Sequence, residues 1–284
     1  MRSRQTRRAP GYARGLALAV VALAAGLMPG TAAAAEDDGG VKVPRRSIFR
    51  NLVSADTVEK SALVQYNEMT RQAFQQRKLL DGKDPAVVRV RRIAKDLLPH
   101  TLKFNERAKD WDWEVNVFDS PSMNAFCMPG GKIAVFTGII DKLALTDDEI
   151  AVIMGHEMGH ALWEHARERT AKVNITSIGS RVVGALLFGQ AGELIGAAGS
   201  SLAALKFSRN DETEADLIGM ELAARGGYDP RAGISLWTKM SKAAGGAPPQ
   251  WLSTHPSGGA RIQTFEDNLK DVLPLYERAK AKRG

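Results

Sequence analysis

The chain has 284 residues, 44% of them hydrophobic and 25% charged, a balance that suits a globular protein with a full core and excludes a disordered or fibrous one. The formal net charge is +7 and the pI about 9.5, yet Arg2, Arg4, Arg7, Arg8 and Arg14 all precede the first acid, Glu36. Without residues 1–35 the charge falls by five to +2, so no nucleic-acid partner is expected.

Residues 1–35 are built like a targeting signal. An arginine-rich start leads into an apolar run from Leu16 to Met28, then the breaker Pro29-Gly30 and Thr31-Ala32-Ala33-Ala34-Ala35, whose small residues suit cleavage before Glu36. The expectation is a signal peptide and an exported, periplasmic protein. An uncleaved N-terminal anchor is the alternative, because the apolar stretch is almost long enough to span a bilayer. Cys127 is the only cysteine, so neither a disulfide framework nor a lipidated cysteine is expected.

Residues 36–53, polar and carrying Gly39-Gly40 and Pro44, read as a flexible leader. From Asp56 to Leu80 apolar residues recur at helical spacing, with Asp81-Gly82 as the stop. A second helix follows, with Asp84 as cap, Pro85 at its first position, and Val87, Val88, Ile93, Leu97 and Leu98 on its inner stripe. The period then changes. Trp113, Val115 and Val117 alternate with Glu114 and Asn116, which predicts a strand with one buried face. Met123 to Met128 and Lys132 to Thr137 predict a hairpin around Pro129-Gly130-Gly131. An edge strand there could pair with an extended peptide, with Asn124 and Ala125 lining the cleft; plain scaffold is the alternative.

Thr146 and Glu149 form a capping box that starts the next helix. It carries His156-Glu157-Met158-Gly159-His160. Histidines four apart leave one helix face a turn apart and can share a metal ion. Glu157 falls beside such an ion, where it can take a proton from water that the metal activates. A helix with an ordinary polar face is the competing reading. The helix is expected to run to about Arg169, and His165, five residues past His160, to lie at the surface.

Residues 175–207 are small and apolar, but Arg181, Glu193 and five glycines interrupt every run. Two short helices are expected, packed on the domain, covering the site, or touching a membrane surface peripherally; a membrane hairpin is the alternative. Beyond them, Glu212 and Asp216 share a helix face. One can bind the metal while the other orients a ligand histidine, unless the face is a charged surface turn.

The stretch Met123 to Gly131, the histidine motif, Ser208-Arg209 with Glu212 to Asp216 and Gly219, and Thr254-His255-Pro256 with Arg261 together resemble the zinc metallopeptidases of the CAAX prenyl protease and HtpX type, nearest to their soluble exported members of the BepA and LoiP kind. The resemblance implies an α+β, mainly α-helical, gluzincin-type domain over residues 54–284, with a small antiparallel sheet whose edge strand flanks the active-site helix. It implies one Zn²⁺ per chain held by His156, His160 and Glu212, with Glu157 and Asp216 catalytic, Asp216 as the acid behind a ligand or a proton donor. His255 corresponds to a histidine that can approach zinc and block the site; from its position it could instead steady an oxyanion, and Arg261 is a second candidate for an oxyanion or a substrate carboxylate. The implied activity is endopeptidase cleavage of misfolded or unassembled cell-envelope proteins bound in extended form. A latent or chaperone-like protein with its zinc blocked by His255 is the alternative. Two departures stand out: no lipid-attachment cysteine, and an end at Gly284 without the helical repeat domain through which some relatives dock to partners.

Overall fold

A computed structural model describes residues 39–176, 206–244, 250–255 and 259–282, all within a unit that begins at Gly39. The segment read as a signal peptide and most of residues 175–207 lie outside the described residues.

Helix α1 (Ala55–Gln75) buries Val58, Ala62, Tyr66, Met69 and Ala73 on one stripe. It stops before Leu80 because the following residues are drawn off as extended chain. Arg77 takes a left-handed φ of 57°, and the Leu80 N–H then donates to the Val117 carbonyl at 3.0 Å. Helix α2 (Pro85–Leu97) starts as predicted, the Asp84 carboxylate accepting from the Ala86 N–H. Val88, expected on its inner stripe, is exposed; Val90 takes the buried place.

Strands β1 (Glu114–Phe118), β2 (Ala125–Met128) and β3 (Lys132–Phe136) form a sheet ordered β1-β3-β2. The hairpin β2-β3 is antiparallel, and Gly130 and Gly131 make its turn with φ of 84° and 80°. The sheet is nevertheless mixed: β1 runs parallel to β3, which corrects the expected antiparallel sheet. The alternation in β1 also misleads, since Asn116 is buried along with its apolar neighbours. Residues 78–80 cover the outer edge of β1. Strand β2 is the other edge, and it packs on the helix that carries the histidines.

After a short helix, α3 (Thr137–Lys142), that helix, α4 (Asp147–Leu162), is opened by the full capping box: the Glu149 N–H donates to Thr146 Oγ1 at 3.2 Å and the Thr146 N–H to Glu149 Oε2 at 2.9 Å. Every residue from Glu149 to Leu162 is buried, so α4 is a central helix with no solvent face. It ends well before Arg169. Glu164 adopts a left-handed φ of 64°, and a separate helix, α5 (His165–Thr176), begins after it.

Helix α6 (Arg209–Arg225) begins with a second capping box, Ser208 with Asp211. It lies against α4 with almost no room between the backbones. A Cβ on Gly219 would fall 2.5 Å from the His156 nitrogen, and one on Gly155 would fall 2.7 Å from the Gly219 carbonyl oxygen. Glycines facing each other thus let the two backbones meet. Of the helices that follow, α7 (Ala232–Ala243), α8 (Gln250–Thr254) and α9 (Gly259–Ala281), α7 packs on α4 and α9 on α6.

The stretch expected as a flexible leader is tied down from Gly39 onward. Buried Glu221 of α6 accepts from the Val41 N–H at 2.8 Å and pairs with Arg225 and Lys103, both at 2.7 Å. Residues Ile48–Leu52 form a 3-10 turn from which Arg50 reaches Glu164. A polar composition suggested a solvated segment; its few specific polar contacts fold it against the domain instead.

Candidate metal centre

Because α4 ends at Leu162 and meets α6 so closely, the groups of three helices converge on one buried point. His156 and His160 come from α4, Glu212 from the first turn of α6, and His255 follows α8, its N–H donating to the Trp251 carbonyl. Their nearest ligand atoms lie within 4.8 Å of one another. His160 Nε2 is 3.0 Å from His156 Nε2 and 3.5 Å from Glu212 Oε1. His156 Nε2 is 3.6 Å from Glu212 Oε2 and 3.2 Å from His255 Nδ1, which is in turn 3.1 Å from Glu212 Oε1.

The ionisation of these groups follows from burial. Loss of water pushes His156 well below the ordinary imidazole range, and the Arg261 charge adds to it; burial and the His156 charge do the same to His160. Both rings are therefore neutral, with lone pairs available. Burial also opposes the charge on Glu212, but His255, by its charge and its hydrogen bond, and the nearby Arg261 outweigh it and keep the carboxyl low. His255 is likewise opposed by burial, and Glu157 and Glu212 prevail to raise it. Two neutral imidazoles and an ionised carboxylate crowded onto one point are a set of acceptors that a cation satisfies, and nitrogen and oxygen donors in this number suit zinc.

Two acids stand around this set. Asp216 Oδ1 lies 3.0 Å from His156 Nδ1, where it can accept the ring proton and leave Nε2 facing the centre. Burial raises the Asp216 carboxyl despite the Arg261 guanidinium beside it. Glu157 accepts from the Trp251 indole N–H at 2.6 Å, and burial pushes its carboxyl up to about 7 against His255 and that hydrogen bond, which favour the charged form.

Arg261, expected near an oxyanion or a substrate carboxylate, spends its donors elsewhere. Its guanidinium bonds both oxygens of Asp216 and one oxygen of Glu212, and it lies 3.9 Å over the Trp237 ring. It is buried and clamps the two acids together. Asn124 caps the edge strand, its Oδ1 accepting from the Ala125 N–H at 3.0 Å. Because the Phe136 N–H bonds to the Asn124 carbonyl, the alternation of an antiparallel pair turns the backbone groups of Ala125 and Cys127 away from β3.

Trp251, Phe207 and Glu214 escaped the sequence reading as neighbours of the centre, and His165 was misplaced by it. Trp251 holds Glu157; its signal was the spacing of four from His255. Phe207 stacks on the His160 ring with centroids 3.8 Å apart. His165 is buried, not at the surface, and bridges His160 and Glu214. Counting five positions round a helix failed because the helix breaks at Glu164.

A buried helix with two histidines and an intervening glutamate, set beside a small sheet edge, defines a class of protein, the metallopeptidases. The sequence profile of Peptidase family M48 matches residues 88–268, and the chain belongs to that family. It is 38% identical over 173 residues to the mitochondrial metalloendopeptidase OMA1 of Arabidopsis thaliana, which covers 60% of this chain and 35% of that protein. It is 32% identical over 240 residues to the mitochondrial metalloendopeptidase OMA1 of Schizosaccharomyces pombe, covering 82% and 66%. It is 30% identical over 161 residues to the metalloprotease LoiP of Escherichia coli, covering 54% and 61%. The chain thus spans only about a third to two thirds of the length of these relatives.

The expected periplasmic location is overturned by these relatives, since the OMA1 proteins are mitochondrial by name. The physical reason is that an arginine-rich, acid-free N-terminus also suits organelle transit peptides, so its composition does not fix a compartment. Among the described residues no helix is long and apolar enough to cross a membrane.

Proposed function

We propose that this chain is a zinc-dependent endopeptidase of gluzincin type, with the peptidase domain running from about residue 54 and one zinc ion per chain held by His156, His160 and Glu212. The observation that carries the reading is the convergence of those three residues within 3.6 Å, with Glu157 beside them. Zinc bound there supplies Lewis acidity, polarising a scissile carbonyl and easing the loss of a proton from water.

The rest is done by the chain. Glu157, held by Trp251, takes the proton of the attacking water on a carboxylate oxygen and returns it to the leaving amine nitrogen. Asp216 fixes the tautomer of His156, and Arg261 fixes Asp216 and Glu212. Substrate is held as an extended strand along β2, through the outward Ala125 carbonyl and the outward backbone groups of Cys127, with Asn124, whose Oδ1 takes the Ala125 N–H, at the mouth of that edge. This mode reads backbone rather than side chains, which suits misfolded or unassembled proteins as substrates.

The test is metal analysis paired with hydrolysis of an unfolded protein such as casein. Wild type binds one zinc and cleaves; Glu157→Gln keeps the zinc and loses cleavage. Undiminished cleavage by that variant sinks the mechanism. A second reading is favoured by the place of His255, 3.1 Å from Glu212 and 3.2 Å from His156: it is a fourth donor that holds the centre latent. On that reading His255→Ala raises activity, whereas a loss of activity assigns His255 to the catalytic apparatus.

A further inference from the structure

We infer that His165 and Glu214 form a positioning relay that fixes the tautomer of His160, so that each ligand histidine has its own orienting partner. The inference rests on the metal centre proposed above.

The relay follows from hydrogen-bond chemistry. His165 Nε2 lies 2.9 Å from Glu214 Oε2. In this contact the carboxylate is the acceptor, which places the His165 proton on Nε2. That leaves His165 Nδ1 to act as an acceptor. That atom is 2.9 Å from His160 Nδ1, so His160 must donate there and carry its own proton on Nδ1. Its Nε2 lone pair is then bare, and it faces His156 Nε2 and Glu212 at 3.0 and 3.5 Å. Asp216 does the same for His156 in one step; His160 is reached through an intermediate imidazole.

The fold is arranged to deliver this contact. On an unbroken helix His165 would point well away from His160. The left-handed Glu164, at φ 64°, breaks the helix between α4 and α5, and His165 Nδ1 comes to lie 2.9 Å from His160 Nδ1. That costly conformation is held by ion pairs of Glu164 with Arg50 and Arg167. Phe207, stacked on His160, fixes the ring plane in which the Nδ1 contact is made. Asp211 lies close enough to His165 and Glu214 to suggest a second metal site. Its Oδ2, however, accepts the Ser208 N–H in the capping box, and both His165 nitrogens have partners, so the trio is a hydrogen-bonded support.

The tautomer is measurable without metal. In metal-free wild type with ¹⁵N-labelled histidine, long-range ¹H–¹⁵N correlations should show His160 protonated on Nδ1 and His165 on Nε2. The opposite pattern, or a doubly protonated His165, overturns the relay. Zinc affinity, by competition with a chromophoric chelator, should weaken about 10- to 100-fold in His165→Leu and in Glu214→Gln. His165→Asn, whose side-chain oxygen can stand in for the Nδ1 acceptor, should recover most of the loss. Equal affinity in wild type and both disruptive variants also overturns the relay, as does a second zinc in wild type that His165→Leu removes. If His165→Leu does not fold, the wild-type spectrum and the Asn and Gln variants still decide. A wild-type chain that takes up no zinc sinks the metal centre, while the tautomer pattern tests the relay independently.

Discussion

The indole N–H of Trp251 donates to Glu157 Oε1 at 2.6 Å with both residues buried, so the carboxylate that follows His156 in the chain is held by a group from another helix. Trp251 is itself anchored twice, by stacking on Trp237 with centroids 5.3 Å apart and by donating its backbone N–H to the Met123 carbonyl before β2. Glu157 and the edge strand are therefore positioned by the same residue. Trp251→Phe keeps the ring and removes the donor. A hydrogen bond to a charged group is worth about 1.5–3 kcal/mol, so kcat on casein should fall at least about tenfold with zinc content unchanged. A kcat within twofold of wild type, in a variant that still binds one zinc, would show that Trp251 does not hold Glu157 for catalysis.

Arg261 binds Glu212 and Asp216 together in the interior. Arg261→Met fills similar space but leaves two buried carboxylates without their cation, which costs about 3–5 kcal/mol. Urea unfolding of the metal-free protein should show that loss. Arg261→Lys keeps the charge but not the fork that reaches both acids, and should lie between. If Met and wild type unfold at the same urea concentration, the clamp carries no stability.

Much of this site was legible before the fold was known, and the reason is local. Helical spacing depends only on near neighbours, so His156, Glu157 and His160, the Thr146 capping box and the pair Glu212 and Asp216 could be read from offsets of one, three and four. The failures are all matters of tertiary context. Nothing local says that β1 pairs with β3 in parallel. Residues 39–53 read as solvated until Glu221, far along the chain, gathers the Val41 N–H. Glu164 breaks α4 with neither glycine nor proline to announce it, because the conformation is held in part by Arg50, distant in sequence, and His165 was misplaced as a result. Arg261 was expected near these residues, but its bonds to Asp216 and Glu212 were not legible, since sequence cannot show which acids a guanidinium meets.

The Glu164 ion pairs give a pH dependence away from the metal. Burial opposes the charge on this side chain, but Arg167 and Arg50 prevail and hold its pKa below the ordinary glutamate value. A pKa depressed by folding contributes stability that is complete above the unfolded value and is lost as pH falls through the folded one. Glu164→Gln should therefore be less stable than wild type by about 1–2 kcal/mol at pH 7. The gap should close on acidification through the carboxylate range. Chemical denaturation at several pH values measures it, and a gap that stays constant with pH would assign the loss to packing instead of charge.

Gly219→Ala tests what brings the ligands together. In an exposed helix interior the change from glycine to alanine gains about 1 kcal/mol of helix propensity, and α6 should welcome it. Here the new Cβ would sit 2.5 Å from the His156 nitrogen and 2.9 Å from the Gly155 and His156 main-chain carbons. The obstacle is backbone, which cannot change rotamer, so α4 and α6 must move apart. Forcing extra volume into a packed core costs about 1–3 kcal/mol, enough to reverse the sign of the propensity term. The movement also draws Glu212 and Asp216 away from His156 and His160, which α4 holds in place. The variant should thus melt at a lower temperature and bind zinc more weakly, both effects from one methyl group that touches no ligand side chain. Gly155→Ala meets the Gly219 carbonyl oxygen at 2.7 Å from the opposite side and should behave alike. A stabilised Gly219→Ala with unchanged zinc affinity would mean that the close approach of the two backbones does not set the geometry of the centre.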